Sequence, residues 1–526
     1  MTTADGIPDE ATSRAVFVSR FVVPGVVATG LITLGSIGVG WLPLSSALLD
    51  ISVVDAMRTN PIGVSIARIM LIAGGALLLQ TWLVLGADLL SGVRIPVQRL
   101  WLALAAWCAP LLVAAPLFSR DVFSYFAQGK LVAAGIDPYT NGVATVPGWF
   151  NDGVDPMWAE APTPYGPFFL MIERGVATLL PDSPFLGSLL LRLVAVAGVA
   201  LMAWFVPRLA FLHGIDGGKA LWLGVLNPLI LMHFIAGAHN DALMVGLMVA
   251  GITLAAEGRP IPGILLVTLA GGVKPIALLA LPFVGLLWAG SRSSWGRRFA
   301  TWAATAALSV FTLVIMGAMI GVGLGWIRAL TTPGSVRTWL SPSTAIGMAT
   351  GAIGNALGVG DYTDLLVTGF RLIAMALAVG VVLWLCFKPQ GRSPVRSAAL
   401  AFTAVVLLGP VIQAWYLLWA LPLVAATGLR KPWHLRAITI GTAALVIYGL
   451  AESSATANSF LQLQDGLAML FAAGAIAFVV LASPRERELV LGRQFSHGIT
   501  PDDPPAQARS RQLVFVDPNR PAVTES

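Results

Sequence analysis

The sequence predicts an all-α polytopic membrane protein, a bundle of about 13 transmembrane helices with amphipathic surface helices in its outer loops. Composition is the first observation behind this. Of 526 residues, 57% are hydrophobic and 11% charged, and mean hydropathy is +0.81. A soluble domain carries about a quarter charged residues, so this chain cannot cover its surface for water and its solvent is lipid. The second observation is a recurrence of apolar runs, most long enough to cross a hydrocarbon core of about 30 Å. The third is that basic residues gather on one side of those runs and a mixed, partly acidic set on the other.

The apolar runs lie near 21–43, 64–89, 100–118, 185–207, 220–237, 240–257, 260–273, 275–290, 299–322, 364–387, 398–413, 415–429, 435–452 and 465–482. Several are too short to cross alone and read as broken or re-entrant helices. Periodicity separates them poorly, because a helix packed in lipid is apolar all round. The expected organisation is a cytoplasmic segment at 1–20, a membrane domain at 21–482 and a cytoplasmic tail at 483–526. The tail is rich in Pro and charge from Thr500 and is expected to be disordered. Met1 to Ser13 is polar and acidic, unlike a cleavable signal peptide, so the first apolar run is expected to serve as an uncleaved signal. Cys108 and Cys386 both fall in apolar runs and read as buried thiols rather than a disulfide framework.

Basic loops set the expected orientation. They are SGVRIPVQR at 91–99, SRSSWGRR at 291–298, KPQGRSPVR at 388–396 and GLRKPWHLR at 428–436, joined by Arg485, Arg487 and Arg493. The positive-inside rule places these loops and both termini in the cytoplasm of a plasma-membrane protein. The net charge of +6 is explained by the same loops and implies no nucleic-acid partner. The opposite face carries two outer loops, 119–165 and 323–345, rich in aromatics, Gly and Pro. Within the first, FSYFAQGKLVAAG from Phe123 reads as an amphipathic helix lying along the membrane surface.

A charge at the bilayer centre costs roughly 2.5–3.5 kcal/mol, so ionisable residues in or beside apolar helices are functional candidates. Here they are Asp121, Arg192, His233, His239, Asp241, Lys274 and Arg371. Asp121, His239, Asp241 and Lys274 sit at outer helix ends, Arg192 and Arg371 about two turns further in. Asp121 follows APLFSR at a helix mouth, where partial desolvation raises a carboxylate's pKa and suits it to general-base work. Its structural alternative is a helix cap or an ion pair with Arg120. His239-Asn240-Asp241 opens an apolar run, and Asn240 or Asp241 could be its N-cap. His239 could instead donate to a phosphate or a sugar hydroxyl.

Lys274-Pro275 separates two short apolar runs with no polar turn, which reads as a broken helix aiming a lysine at an anion. Snorkelling to the interface is the bland alternative. Arg337, in the second outer loop, offers a planar fork for phosphate, although an exposed loop arginine is also ordinary. Together Lys274, Arg337 and His239 are expected to bind a phosphate at headgroup level. Tyr125, Gln128, Tyr165, Asn240, Asp241, Gln413 and Trp415 are further candidate substrate contacts, although Trp415 equally suits an aromatic belt. Glu173 and Arg174 could simply pair with each other. A Walker A loop, an HExxH motif and a Cys/His metal cluster are all missing from the sequence.

A polytopic chain with an acid opening a long outer loop resembles the C-type glycosyltransferases. More closely, SRDVFSYFAQGKLVAAGIDPY, APTPYGP, LNPLILMHFIAGAHNDALMVGLM, VRTWLSPS and QAWYLLW resemble the actinobacterial polyprenol-phosphomannose-dependent α-(1→6)-mannopyranosyltransferases, over about residues 20–480. The resemblance implies a GT-C-type bundle. It implies a decaprenyl-type polyprenyl-phosphate-mannose donor and a phosphatidylinositol-mannoside or lipomannan acceptor among membrane lipids. It implies inverting mannosyl transfer to a 6-hydroxyl of a growing α-(1→6)-mannan, in lipomannan and lipoarabinomannan synthesis, on the outer face. The position matching the family's loop acid is Asp121. Such chemistry needs a base and cations for the leaving phosphate. It requires no cofactor, and a divalent metal stays compatible with it. One member type carries a long insertion after the sixth helix, whereas EGRPIPG here is tight.

Two other classes share this outline: a lipid-linked glycan transporter or flippase, and a polysaccharide ligase or polymerase. A transporter is expected to place its charges near the midplane and to show inverted repeats. A ligase would share the outer cations but move a whole lipid-linked glycan.

Overall fold

The computed structural model describes residues 13–330, 337–388, 391–429, 431–452 and 499. Among them the regular structure is helical throughout. Six helices are long and apolar enough to cross a membrane: Arg14–Val39, Pro61–Leu90, Pro184–Leu212, Trp295–Met319, Thr363–Phe387 and Pro432–Leu450. A seventh span is formed if the bent pair Ile230–Ala236 and Asp241–Ala256, turned by 113°, counts as one. Four shorter apolar helices, Pro260–Val273, Pro275–Ala289, Pro394–Leu408 and Ala414–Thr427, are the broken elements that short runs announced. By length alone the described residues therefore supply fewer spans than the expected 13 or so, because several apolar runs fold as short pieces. The run at 465–482, the tail from 483 and the first 12 residues lie outside the described residues, Ile499 apart.

At the centre of the bundle is the Asp241–Ala256 helix, every residue of which is buried. Its composition explains this: DALMVGLMVAGITLAA has no polar face to offer, so it needs neighbours on all sides. Two glycine contacts let those neighbours close in. A Cβ on Gly246 would overlap the Gly198 carbonyl, and one on Gly251 would sit 2.6 Å from the Gly263 carbonyl. Backbones thus approach as small residues allow in membrane helix pairs.

The two ends of the bundle differ in charge. At one end the loops around Ile95, His213–Gly218, Ser393–Arg396 and Gly428 meet. His213 Nε2 lies 3.1 Å from Ser393 Oγ, Arg396 donates to Thr427 Oγ1 at 3.2 Å, and Gly428 abuts Ile215. Arg208 holds Glu257 there with two 2.8 Å bonds, at the far end of the central helix from Asp241. The basic loops and the acidic cluster described below therefore occupy opposite ends of one helix. Both cysteines are buried and free.

The FSYFAQGKLVAAG segment does form a helix, Asp121–Ala133, but not a surface one. Ten of its thirteen residues, including Phe123, Tyr125, Phe126 and Gln128, are buried. Apolar residues occupy more than one face of it, and the Pro167–Leu179 helix packs along it at Gly129, where a Cβ would overlap the Glu173 carbonyl. The rest of loop 119–165 is tied down by its own polar groups. Lys130 pairs with Asp152 at 2.8 Å, and Arg120 donates to the carbonyls of Gly153 and Val154 at 2.8 Å each. Arg120 also stacks on Trp41, so it is not the partner of Asp121.

Arg192 is a structural clamp. Fully buried, it donates to the carbonyls of Ile235 at 2.9 Å, Ala236 at 3.2 Å and Leu112 at 2.8 Å. These are carbonyls at the ends of two helices, where intrahelical partners run out. Glu173 and Arg174 do not pair: Glu173 is buried with neither oxygen hydrogen-bonded, and Arg174 faces outward. Successive helix positions point about 100° apart, which separates them. Arg192→Leu is expected to leave three carbonyls unpaired and to destabilise the fold by roughly 3 kcal/mol or more, read as a lowered Tm of the detergent-purified protein; an unchanged Tm would contradict the clamp.

Candidate active site

Three interruptions of helical structure bring the candidate residues together. The first precedes Asp121, where Phe118 adopts φ 67°. The second lies between Ala236 and Asp241, where Ala238 adopts φ 53°. Left-handed backbone at residues with a Cβ costs on the order of 1–3 kcal/mol and is held only where surroundings enforce it. Here Arg192 fixes the preceding carbonyls, and Gly237 is enclosed by the carbonyls of His233 and Leu117. The third is at Lys274, extended at φ −141° and ψ 119°. Pro275 imposes this, since a residue before proline is driven from helical to extended geometry.

Lys274 Nζ donates to both oxygens of Asp241 at 3.0 Å. Asp241 is completely buried and also accepts from Trp419 Nε1 at 2.6 Å. The ammonium is ringed by aromatic faces, 5.2 Å from Tyr416, 5.4 Å from Trp419 and 5.9 Å from Tyr165. Such faces stabilise a cation and exclude water. Asn240 occupies the N-cap position of this helix, one of the two alternatives the sequence offered, but its side chain makes no capping hydrogen bond.

Asp121 lies beside this pair, at the head of a helix that is not a candidate span. Its Oδ1 accepts from Trp158 Nε1 at 3.1 Å, and its Oδ2 is 3.7 Å from His239 Nδ1. The side chain keeps 17% of its surface exposed, whereas His239 keeps 1%. Burial pushes the Asp121 carboxyl up to about 6, against the pull of Lys274 and of hydrogen bonds from Ser119 and Trp158. It is thus ionised at neutral pH, yet more basic than an ordinary carboxylate.

His239 stacks on Trp415 at 3.9 Å, and His233 lies next to both rings and Phe118. Gln128 accepts from Thr163 at 2.8 Å, and Tyr125 meets Tyr165 edge to face at 5.1 Å. Nine buried side-chain nitrogens and oxygens here, on Ser124, Tyr125, His233, His239, Asn240 and Trp415, find no hydrogen-bond partner. Buried polar atoms are nearly always paired with protein or ordered water, so this concentration of orphans around one accessible carboxylate makes it the candidate place for a polar ligand. Among the described residues no group of three or more His, Cys, Asp or Glu is placed to hold a metal ion.

The comparisons bear on this constellation. Residues 22–290 match the model of the α-(1→6)-mannopyranosyltransferase N-terminal domain, and residues 343–483 match an MptB C-terminal domain. The chain belongs to the α-(1→6)-mannopyranosyltransferase family. It is 37% identical to α-(1→6)-mannopyranosyltransferase A of Mycobacterium tuberculosis over 413 residues, 76% of this chain and 79% of the relative. To a probable α-(1→6)-mannopyranosyltransferase of Mycolicibacterium smegmatis it is 34% identical, over 88% of each chain. To α-(1→6)-mannopyranosyltransferase B of Corynebacterium glutamicum it is 30% identical, over 84% of this chain and 78% of that one. No solved structure matches. The glycosyltransferase reading is thereby established as a mannosyltransferase, and the apolar helices fit a membrane protein.

Within this mannosyltransferase, Asp121, His239, Asp241, Lys274, Tyr165 and Trp415 interact directly or through one neighbour. Tyr125, Gln128 and Asn240 pack beside them. Gln413 immediately precedes the short Ala414–Tyr416 helix that carries Trp415, without a side-chain capping bond. Arg337 is different. It is exposed and pairs with Asp364 at 2.8 Å, and no described contact joins it to Lys274 or His239. An exposed arginine satisfies itself on the nearest exposed carboxylate, and this one does so. Arg371 bonds Thr344 at 2.8 Å, which in turn holds the Pro410 carbonyl at 2.7 Å, so it braces the approach to Trp415.

Four contributors were not singled out in the sequence: Ser119, Trp158, Tyr416 and Trp419. Trp419 was findable, because it follows Trp415 by four residues in a helical register. Trp158 sits in an irregular loop and has no periodic signal. The rate of the wild-type enzyme is expected to fall as pH drops through about 6, as Asp121 takes up a proton. Trp158→Phe removes a bond favouring the charged form, so its acid limb is expected at higher pH; a limb unmoved in the variant's pH–kcat/KM profile would separate Trp158 from Asp121.

Proposed function

We propose that this chain is a polyprenyl-phosphate-mannose-dependent α-1,6-mannosyltransferase. It moves mannose from a decaprenyl-type phosphate donor to a 6-hydroxyl of a growing α-(1→6)-mannan, on a phosphatidylinositol-mannoside or lipomannan acceptor. The site works at the outer face of the plasma membrane, with both termini in the cytoplasm. Family membership supports mannosyl transfer. The observation that carries the mechanism is a partly accessible carboxylate at Asp121 within electrostatic reach of the aromatic-ringed ammonium of Lys274, among polar atoms that lack partners.

In this reading the acceptor O–H proton passes to Asp121 as its oxygen bonds to the anomeric carbon. The bond from that carbon to the phosphate oxygen breaks, and the electron pair leaves with the phosphate. Lys274 stabilises the charge that develops on the leaving oxygen, in a low-dielectric site where such stabilisation is large. Asp241 holds Lys274 in place, and His239 lines the Asp121 side. One displacement inverts the anomeric centre, so a β-linked donor gives an α product. The basic loops at the opposite end of the central helix support the outward orientation.

The test is an assay of purified protein in lipid with polyprenyl-phosphate-mannose and a short α-mannoside. Mannose is expected to transfer without any nucleotide sugar. Asp121→Asn is expected to lower kcat by about 10²–10⁴-fold, the range for a lost general base, with membrane insertion intact. Lys274→Ala is expected to weaken the donor reaction at least tenfold, a loss on the scale of one charge-stabilising group. Arg337→Ala is expected to change donor kinetics by less than about twofold, as an exposed pair contributes little. Wild-type turnover in Asp121→Asn would remove that residue as the base.

A further inference from the structure

We infer that Asn240 reads the 2-hydroxyl of the transferred sugar and thereby selects which hexose is moved. The inference rests on the function proposed above. Asn240 is 2% exposed, and neither its amide oxygen nor its amide nitrogen has a partner. An amide in that position can be completed only by a ligand or a water molecule.

The backbone around it is constrained on both sides. Ala238, two residues earlier, is held at φ 53°, and Gly237 has no room for a Cβ. Asp241, which follows, is anchored by Lys274 and Trp419. Asn240 lies between His239 and Asp241 in the chain, the two residues that reach Asp121 and Lys274. His239 approaches Asp121 at 3.7 Å, and Asp241 grips Lys274 at 3.0 Å. The anomeric carbon must lie between base and leaving-group cation, which puts Asn240 beside that carbon's neighbours in the ring.

Those neighbours are the ring oxygen and C2. The ring oxygen only accepts, and a hydroxyl both donates and accepts. The amide offers one acceptor and two donors; the ring oxygen could use only a donor, so the 2-hydroxyl is the neighbour that can pair with both of its orphaned atoms. Mannose and glucose differ in configuration at this carbon alone, so a fixed amide there discriminates between them. A site built to bond a hydroxyl rejects the analogue lacking it strongly, because its own buried group is then left unpaired.

The test uses the full chain in lipid nanodiscs with polyprenyl-phosphate mannose and its 2-deoxy and 4-deoxy analogues. Wild type is expected to lose about 100-fold or more in kcat/KM with the 2-deoxy donor, and clearly less with the 4-deoxy donor. Asn240→Ala is expected to lose about 100-fold with the mannose donor, and only a few-fold with the 2-deoxy donor, because the lost partner was already missing. Equal losses by Asn240→Ala on both donors would show a purely structural amide and overturn the inference. Should that variant fail to fold, the wild-type series decides: equal sensitivity at C2 and C4 overturns it. Failure of wild type to use any polyprenyl-phosphate sugar would instead sink the underlying function, and this assignment with it.

Discussion

The ion pair between Lys274 and Asp241 is the interaction on which the rest of the site depends. Each partner sits at a break in helical structure, one forced by Pro275 and the other reached through the left-handed Ala238. Their two 3.0 Å bonds tie those breaks together. Removing one partner of a buried pair costs about 3–5 kcal/mol, because a charge is left alone in a poor dielectric. The pair is therefore mutually enforced, and the aromatic rings of Tyr165, Tyr416 and Trp419 close over it. Asp121 lies close enough to feel both charges of the pair.

Neutralising Lys274 with Asp241 also explains how a cation can wait in an apolar bundle without a substrate. A bare ammonium at such depth is expensive, whereas a paired one is retained, and its third N–H is the donor the proposed mechanism gives to the leaving phosphate. Asp121 is left as the carboxylate with exposed surface in the cluster. The division is physical: a completely buried acid holds the lysine, and a partly open one stays accessible to a ligand. Arg192 supports both from behind by fixing the carbonyls before Gly237.

The fold class was legible because lipid as solvent leaves its mark on composition and run length. The clustering of Asp121, His239, Asp241 and Lys274 was expected for the same reason, since ionisable residues are too costly to scatter through an apolar bundle. Partnerships were less legible. Sequence could not tell that Asp241 would serve Lys274 rather than cap its helix, because that depends on a contact across 33 positions. Arg337 and Lys274 look equally suited to a phosphate in sequence; only the fold separates an exposed pair with Asp364 from a cation inside an aromatic ring. Surface character misled for Asp121–Ala133, because one helix can look amphipathic while its polar atoms turn inward to a site. Trp158 could not be foreseen, as an irregular loop carries no periodic signal.

The most direct test of the account is a cryo-EM map of the protein in lipid with a non-transferable polyprenyl-phosphate-mannose analogue. The account predicts the phosphate within hydrogen-bond reach of Lys274 Nζ, with the anomeric carbon between it and the Asp121 carboxylate. A phosphate seated on Arg337, or a sugar that leaves Asp121 out of reach of its anomeric face, would contradict it.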